Sequence, residues 1–230
     1  MTVLCIETST SVCSAAICSD GKPLKQCICL EGSNHARLLP LYIEELLQFA
    51  QQQHLSIDAV ALSEGPGSYT GLRIGTSTAK GLCYGLNVPL IPVPTLQILC
   101  AAAKEAIYHE PLTMNHEPLL CPMIDARRME VYTSFNGGET KAVIVENEDS
   151  IYSGDEEVYY FGDGAKKCQA VFTKPNWHYI PDIVPESRHL ASILESILDN
   201  TQRQTVSIAY YEPFYLKEFI AAQSHVKGLK

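Results

Sequence analysis

No stretch of this sequence stays apolar for the length a bilayer demands, and Met1-Thr2-Val3 runs straight into a strand pattern with no basic leader. A cytoplasmic protein without a membrane partner is expected. Zinc has little to bind: the nine cysteines include no C-x-x-C pair, and Cys27-x-Cys29 lies in a strand-like run. Their odd number, and the apolar settings of Cys5, Cys13, Cys18, Cys27, Cys83 and Cys100, fit reduced thiols packed as small hydrophobes. The histidines are scattered, and His35 has none at helical spacing from it, so H-E-x-x-H chemistry is missing. Ser68 stands in Pro-Gly-Ser-Tyr-Thr-Gly, which is not the G-x-S-x-G elbow, and no G-x-x-x-x-G-K-[ST] loop occurs. No metal and no cofactor is expected.

Basic charge is scarce as well. The net charge is −9, and it is uneven: residues 1–104 carry six Lys/Arg against seven Asp/Glu, residues 105–230 eleven against nineteen. Polyanion affinity comes from counterions displaced by Lys and Arg. The chain is therefore a poor nucleic-acid binder by itself.

What is present is globular. At 230 residues, 46% hydrophobic and 19% charged, the chain can build one large domain or two lobes with cores of their own. The apolar, β-branched run 57–62 predicts a buried strand. Gly65-Pro66-Gly67 then forces a tight turn, and Ser68 or Thr70 can cap the helix that follows. Strand, glycine turn and helix start make a geometry that suits an anion, although most such turns are only turns.

Around this centre, strands are expected at 3–6, 12–18 and 24–30, with Asp20-Gly21 as a hairpin signal. Helices are expected at about 34–53, 70–84 and 95–107, with a strand at 89–93. Hairpins followed by alternating strands and helices give a mixed sheet flanked by helices, as in a ribonuclease-H-like lobe. Two prolines and polar residues at 110–118 mark a linker. Strands at 119–124, 131–135 and 141–145 then repeat the opening as strand, acidic turn, strand, and predict one lobe copied once. Further on, 158–161 is a strand leading to Gly162-Asp163-Gly164 and a helix. Ser187 opens a last helix, and 210–216 reads as a closing strand. The six acids at 146–157 read as a solvated loop.

Two helices carry a surplus. Leu38, Leu39, Leu41, Tyr42, Ile43, Leu46, Leu47, Phe49 and Ala50 cover an arc of roughly 240°, where a one-sided helix needs little over 100°. Gly71, Gly75, Ala79, Gly81 and Gly85, with Thr76, Ser77 and Thr78 between them, make a weak helix former on which another backbone can lie close. Both could be core helices of a two-layer domain; a helix–helix interface with a partner or a second copy is preferred. Glu7 and Asp125 fall at matching turns of the two half-repeats, where a two-lobed nucleotide-binding fold would place acids for metal and phosphate. No glycine follows Glu7 to admit a phosphate, so Glu7 is expected to hydrogen-bond its own turn. Glu7, Thr8, Ser9, Asp125, Gly162 and Gly164 are read as a vestigial nucleotide site. The alternative is an ATP-dependent small-molecule kinase or ATPase of the same fold.

Ile6-Glu7-Thr8-Ser9, Asn34-His35-Ala36-Arg37-Leu38-Leu39-Pro40-Leu41 and the run from Gly65 to Gly75 stand in order along the chain. Ile124-Asp125-Ala126-Arg127, Glu130-Val131-Tyr132 and Pro213-Phe214-Tyr215-Leu216 complete the series. Together they closely resemble the TsaB (YeaZ) family of bacterial tRNA threonylcarbamoyladenosine biosynthesis subunits, over nearly the whole chain. The glycine motif is specific to that family and its larger catalytic relative TsaD. The resemblance implies an α/β, two-lobed ASKHA (actin/Hsp70/sugar-kinase-like) fold, with lobes at 1–109 and 117–230. It also implies a subunit with no catalytic residues of its own. Such a subunit binds and activates TsaD, which moves threonylcarbamoyl from threonylcarbamoyl-AMP to the adenosine beside the anticodon; TsaE completes the set. TsaD carries two metal histidines four apart, and here only His35 stands near that place. The family pairs through N-lobe helices, which points to His35, Leu38, Leu39, Tyr42, Ile43, Leu46, Thr70, Gly71, Arg73, Ile74, Gly75, Ser77 and Thr78 as the pairing residues. TsaD would dock there, or a second copy of the chain; tRNA would be met only through the complex.

Overall fold

The computed structural model describes residues 1–32, 34–108, 118–199 and 207–217. The expected linker therefore falls almost wholly outside the described residues, as does the tail beyond Lys217.

Alternation of small and β-branched residues produces β1 (Thr2–Glu7), β2 (Cys13–Ser19) and β3 (Lys22–Cys29), which pair antiparallel in sequence. The β2–β3 turn is the expected Asp-Gly hairpin, with φ of 49° at Asp20 and 74° at Gly21, the doubly positive form that matches strand twist. After α1 (His35–Gln52), β4 (Ala59–Gly65) returns parallel to β1; after α2 (Tyr69–Leu86), β5 (Leu90–Pro94) lies parallel to β4. The strand order is β3-β2-β1-β4-β5. Next comes α3 (Thr95–Tyr108).

The second half repeats this plan. β6 (Leu119–Asp125), β7 (Glu130–Thr133) and β8 (Lys141–Ile144) are antiparallel neighbours, and β9 (Val158–Phe161) and β10 (Trp177–Tyr179) add on in parallel. The order β8-β7-β6-β9-β10 reproduces that of the first sheet strand for strand. The duplication expected from the sequence is real. A single 3-10 turn (Glu148–Ser150) and the four-residue α4 (Ala165–Cys168) occupy the positions that α1 and α2 hold in the first lobe. α5 (Ser187–Asp199) is the last regular element among the described residues.

Local chemistry accounts for the helix ends. Ser68 caps α2 by accepting the Gly71 N–H at 3.3 Å, and Asn87, left-handed at φ 54°, ends it by donating its N–H to Cys83. Inside α1 the buried stripe is His35, Leu39, Ile43, Leu46 and Ala50, and its Leu39, Ile43 and Leu46 join Leu4, Ile6, Ile17 and Leu62 of the sheet. The other face of that sheet is covered by Leu190, Ala191 and Leu194 of α5, which pack on Val3, Cys5, Ala16 and Cys18. Helix α3 in turn buries Leu99, Ala103 and Ile107 with Leu120, Ile124 and Phe161 of the second sheet. Each lobe thus borrows a covering helix from the neighbouring half of the chain. All nine cysteines are free and eight are buried; burial pushes the Cys100 and Cys121 thiols up to about 12, as inert packing groups require.

Three expectations need correction. The apolar arc on α1 is largely used up at home: Leu38, Tyr42, Leu47 and Phe49 lean half-buried on the lobe's own core, and Leu41 is the large apolar residue of α1 left well exposed, at 55%. Residues 210–216 form no strand. Pro213 cannot donate, and the segment lies along α2 with no neighbouring strand to pair with, apart from one bond from Phe214 N to Glu64 O at 2.7 Å. The acidic stretch is no mere solvated loop, because Glu148 is buried and accepts the backbone N–H groups of Thr173 and Lys174.

Candidate functional site

The expected site residues fall on two surfaces: the outer side of α1 and α2, and the cleft between the lobes. Of the residues expected to pair with a partner, His35, Leu39, Ile43 and Leu46 point inward, and Gly71 and Gly75 are buried. His35 donates Nε2–H to the Thr10 carbonyl at 2.8 Å, since a carbonyl can only accept. This histidine is a tie between α1 and the β1–β2 turn. Gly71 is required for close approach, because a Cβ there would overlap the Thr8 carbonyl oxygen and press on the His35 ring. Thr70, Arg73 and Ser77 are exposed, while Leu38, Tyr42, Ile74 and Thr78 are half-buried. A shallow groove between the helices is lined by Pro40, Ile43, Leu47 and Thr78 among others.

Further along α2 the environment changes. Gly81 and Gly85 lie on the exposed side, and a Cβ added at either meets nothing within 4 Å. Tyr84 between them is 88% exposed. Gly81, inside the helix, costs ~1 kcal/mol relative to alanine, while Gly85 stands in the last turn just before the Asn87 cap. Nothing within the described residues calls for these two.

The cleft, of about 570 Å³, lies between two matching pairs of turns. On the N-terminal side are the β1–β2 and β4–α2 turns, bringing Ser9, Thr10, Ser11, Gly67 and Ser68; on the other, Asp125, Ala126, Arg127 and Asp163. Of the six residues expected there, only Ser9 and Asp125 line it. Glu7 is fully buried and its Oε1 accepts the Ser9 N–H at 2.6 Å, so it does hold its own turn. Burial pushes its carboxyl up to about 7, against the pull of the Ser9 hydrogen bond. Thr8 donates its hydroxyl to the Gly71 carbonyl at 2.9 Å. Gly162 and Gly164 abut the backbone of β6, which lets the β9–α4 loop lie flat on that strand. Asp163, missed in the sequence, accepts the Asp125 N–H at 2.9 Å, and Asp125 itself is held by Lys167 and by Arg127 N–H. The glycine turn is similarly committed: Ser68 N–H donates to Ser9 O at 2.6 Å. Asp125, Asp163 and the Ser68 N–H are thus engaged within the chain, while Ser9 Oγ and Glu7 Oε2 are buried without a hydrogen-bond partner. Among the described residues no group of three His, Cys, Asp or Glu side chains could hold a metal ion, and no helix is long and apolar enough to cross a membrane.

Two copies of one five-stranded α/β plan, facing across a cleft, define a two-lobed fold of the ASKHA type. Residues 30–209 match the family model described as TsaD, tRNA N6-adenosine threonylcarbamoyltransferase. The chain is 27% identical to the Escherichia coli tRNA threonylcarbamoyladenosine biosynthesis protein TsaB, over 96% of each chain. It is 34% identical to the Haemophilus influenzae protein of the same name, over 58% of this chain and 53% of that one, so this match spans about half of the relative's length. In three dimensions it resembles YeaZ from Pseudomonas aeruginosa, with a TM-score of 0.74 at 24% identity, covering 94% of this chain and 99% of that one. The chain belongs to the TsaD-type family and, within it, to the TsaB (YeaZ) branch.

Proposed function

We propose that this chain serves tRNA threonylcarbamoyladenosine biosynthesis as a non-catalytic cytoplasmic subunit. It binds and activates a TsaD-type transferase, which carries threonylcarbamoyl from threonylcarbamoyl-AMP to the adenosine beside the anticodon, and it works alongside the ATPase TsaE. The observation that carries this reading is the pair Gly81 and Gly85, open to solvent on the outer face of α2 around the exposed Tyr84. Gly81 weakens the helix interior, and neither glycine makes room for its own chain; both make sense where a second backbone lies against them. Ile74, Ser77 and Thr78 continue that face toward the start of the helix, with Leu38, Leu41 and Tyr42 beside it on α1. A second copy of the chain could use the same face in a homodimer. The non-catalytic reading is supported by Glu7, whose carboxyl serves its own turn rather than the cleft.

The test is co-expression with a TsaD-type partner, followed by co-purification and an assay of modified adenosine with and without this chain. Ile74→Glu and Gly81→Leu are expected to abolish co-purification and lower the modification at least tenfold, equivalent to about 1.4 kcal/mol, while the circular dichroism of the isolated chain stays as in the wild type. If both variants co-purify and support modification like the wild type, this face is not the interface. If the wild type neither binds nor stimulates the transferase, the functional reading fails. Micromolar Mg-ATP binding with turnover by the isolated chain would instead favour a kinase or ATPase.

A further inference from the structure

Residues 207–217 follow α5 in sequence yet lie on the first lobe. Ile208 and Tyr211 pack into the core cluster beneath α2, and Lys80 Nζ donates to the carbonyls of Ala209 at 3.1 Å and Tyr211 at 3.2 Å. The segment then crosses the glycine turn, where Phe214 N donates to Glu64 O at 2.7 Å. Gly65 is shaped for this crossing: its φ is 119°, and a Cβ there would overlap the Phe214 carbonyl oxygen. Beyond it, the Tyr215 ring lies 5.0 Å from that of Tyr69, and Arg73 covers the Tyr69 ring at 4.2 Å. At its far end Lys217 pairs with Glu130 of β7 in the second lobe. Phe214, Tyr215, Leu216 and Lys217 form one wall of the inter-lobe cleft.

We propose that residues 207–217 are a clasp: anchored along α2 and at the glycine turn, and pinned to β7 by Lys217, the segment holds the two lobes at one opening of the cleft. The anchors are unequal. On the first lobe the contacts include buried apolar packing, one backbone–backbone bond and two bonds from Lys80 Nζ to the segment's carbonyls. On the second lobe the pin is a half-exposed ion pair, the kind of contact worth little as stability. A weak pin on a strong anchor controls position at small cost in folding free energy. The β6–β7 turn at 125–130 and the glycine turn at 65–68 then move as one unit.

Hydrogen–deuterium exchange on the full chain tests this with Lys217→Ala, Tyr215→Ala and the pair together. In the double variant, exchange at 125–130 and at 66–71 is expected to rise about tenfold, while β1 and β4 keep their wild-type protection. Lys217→Ala alone is expected to raise exchange at 125–130 but not in the segment 207–212. A rise confined to 207–217 would make the segment a plain packing tail and overturn the proposal. So would a uniform rise across both sheets. Gly65→Ala, which displaces Phe214 without touching the pin, provides a separate check: it must reproduce the increase at 125–130, and failure to do so overturns the clasp.

Discussion

The two lobes share a strand order and differ in what fills the connections. Between the third and fourth strands the first lobe has the 18-residue α1, and the second a 3-10 turn; between the fourth and fifth it has the 18-residue α2, and the second four residues of helix. The second lobe nonetheless covers that side of its sheet, using Val145, Tyr152, Phe172 and Trp177 from loops and short elements. A sheet of this plan can therefore be closed without long helices. Where long ones are kept, one of them also carries open glycines and an exposed tyrosine that its own sheet does not use. That contrast supports a docking role for α1 and α2.

Measurement can test this difference between the lobes. The largest effect is expected at the core. Leu39→Ala or Leu46→Ala, each at a fully buried site, should cost ~3 kcal/mol. Because α3 and α5 are shared between lobes, the loss should appear as one cooperative thermal transition, and two separated transitions would show the lobes to be independent. Next comes Glu7. Its folded value, about 7, lies above the ordinary 4.5. As pH rises from 4.5 to 7 the unfolded chain gives up this proton first, so stability falls through that window and levels off above it. Glu7→Gln should remove the slope and raise stability above pH 7 by on the order of 2–3 kcal/mol, read by urea unfolding at several pH values.

Smaller effects separate the glycines. Gly81→Ala should stabilise the isolated chain by ~1 kcal/mol, while Gly75→Ala, whose Cβ would collide with Thr8 Oγ1, should destabilise it. The same sign for both would erase the distinction between outward and inward faces of α2. The least effect is expected on the second lobe's edge: Ile144→Ser, at 68% exposure, should move stability by less than ~0.5 kcal/mol and leave transferase binding untouched.

Most of the strand and helix order was legible because strong periodicity, Asp20-Gly21 and the glycine turn are local signals. What escaped is non-local. β10 is three residues between loops and makes sense only beside β9. Nothing in the pattern of α5 says that it will cover β1 and β2, nor in 210–216 that its neighbour will be a helix. The surplus on α1 is smaller than its angular spread, because that spread ignores how far a side chain reaches: Phe49 and Tyr42 bend back to the core from the flanks. At the cleft, Glu7 was read correctly from its short-range turn chemistry, whereas Asp163 lies 38 residues from its Asp125 partner and has no local signature.

The exchange of covering helices bears on biosynthesis. As the chain leaves the ribosome, the first sheet is complete by Pro94, yet Val3, Cys5, Ala16 and Cys18 stay bare until Leu190 and its neighbours emerge almost a hundred residues later. During that interval a nascent chain of this kind displays a greasy panel to water, and a message truncated before α5 would leave that panel permanently bare and prone to aggregation.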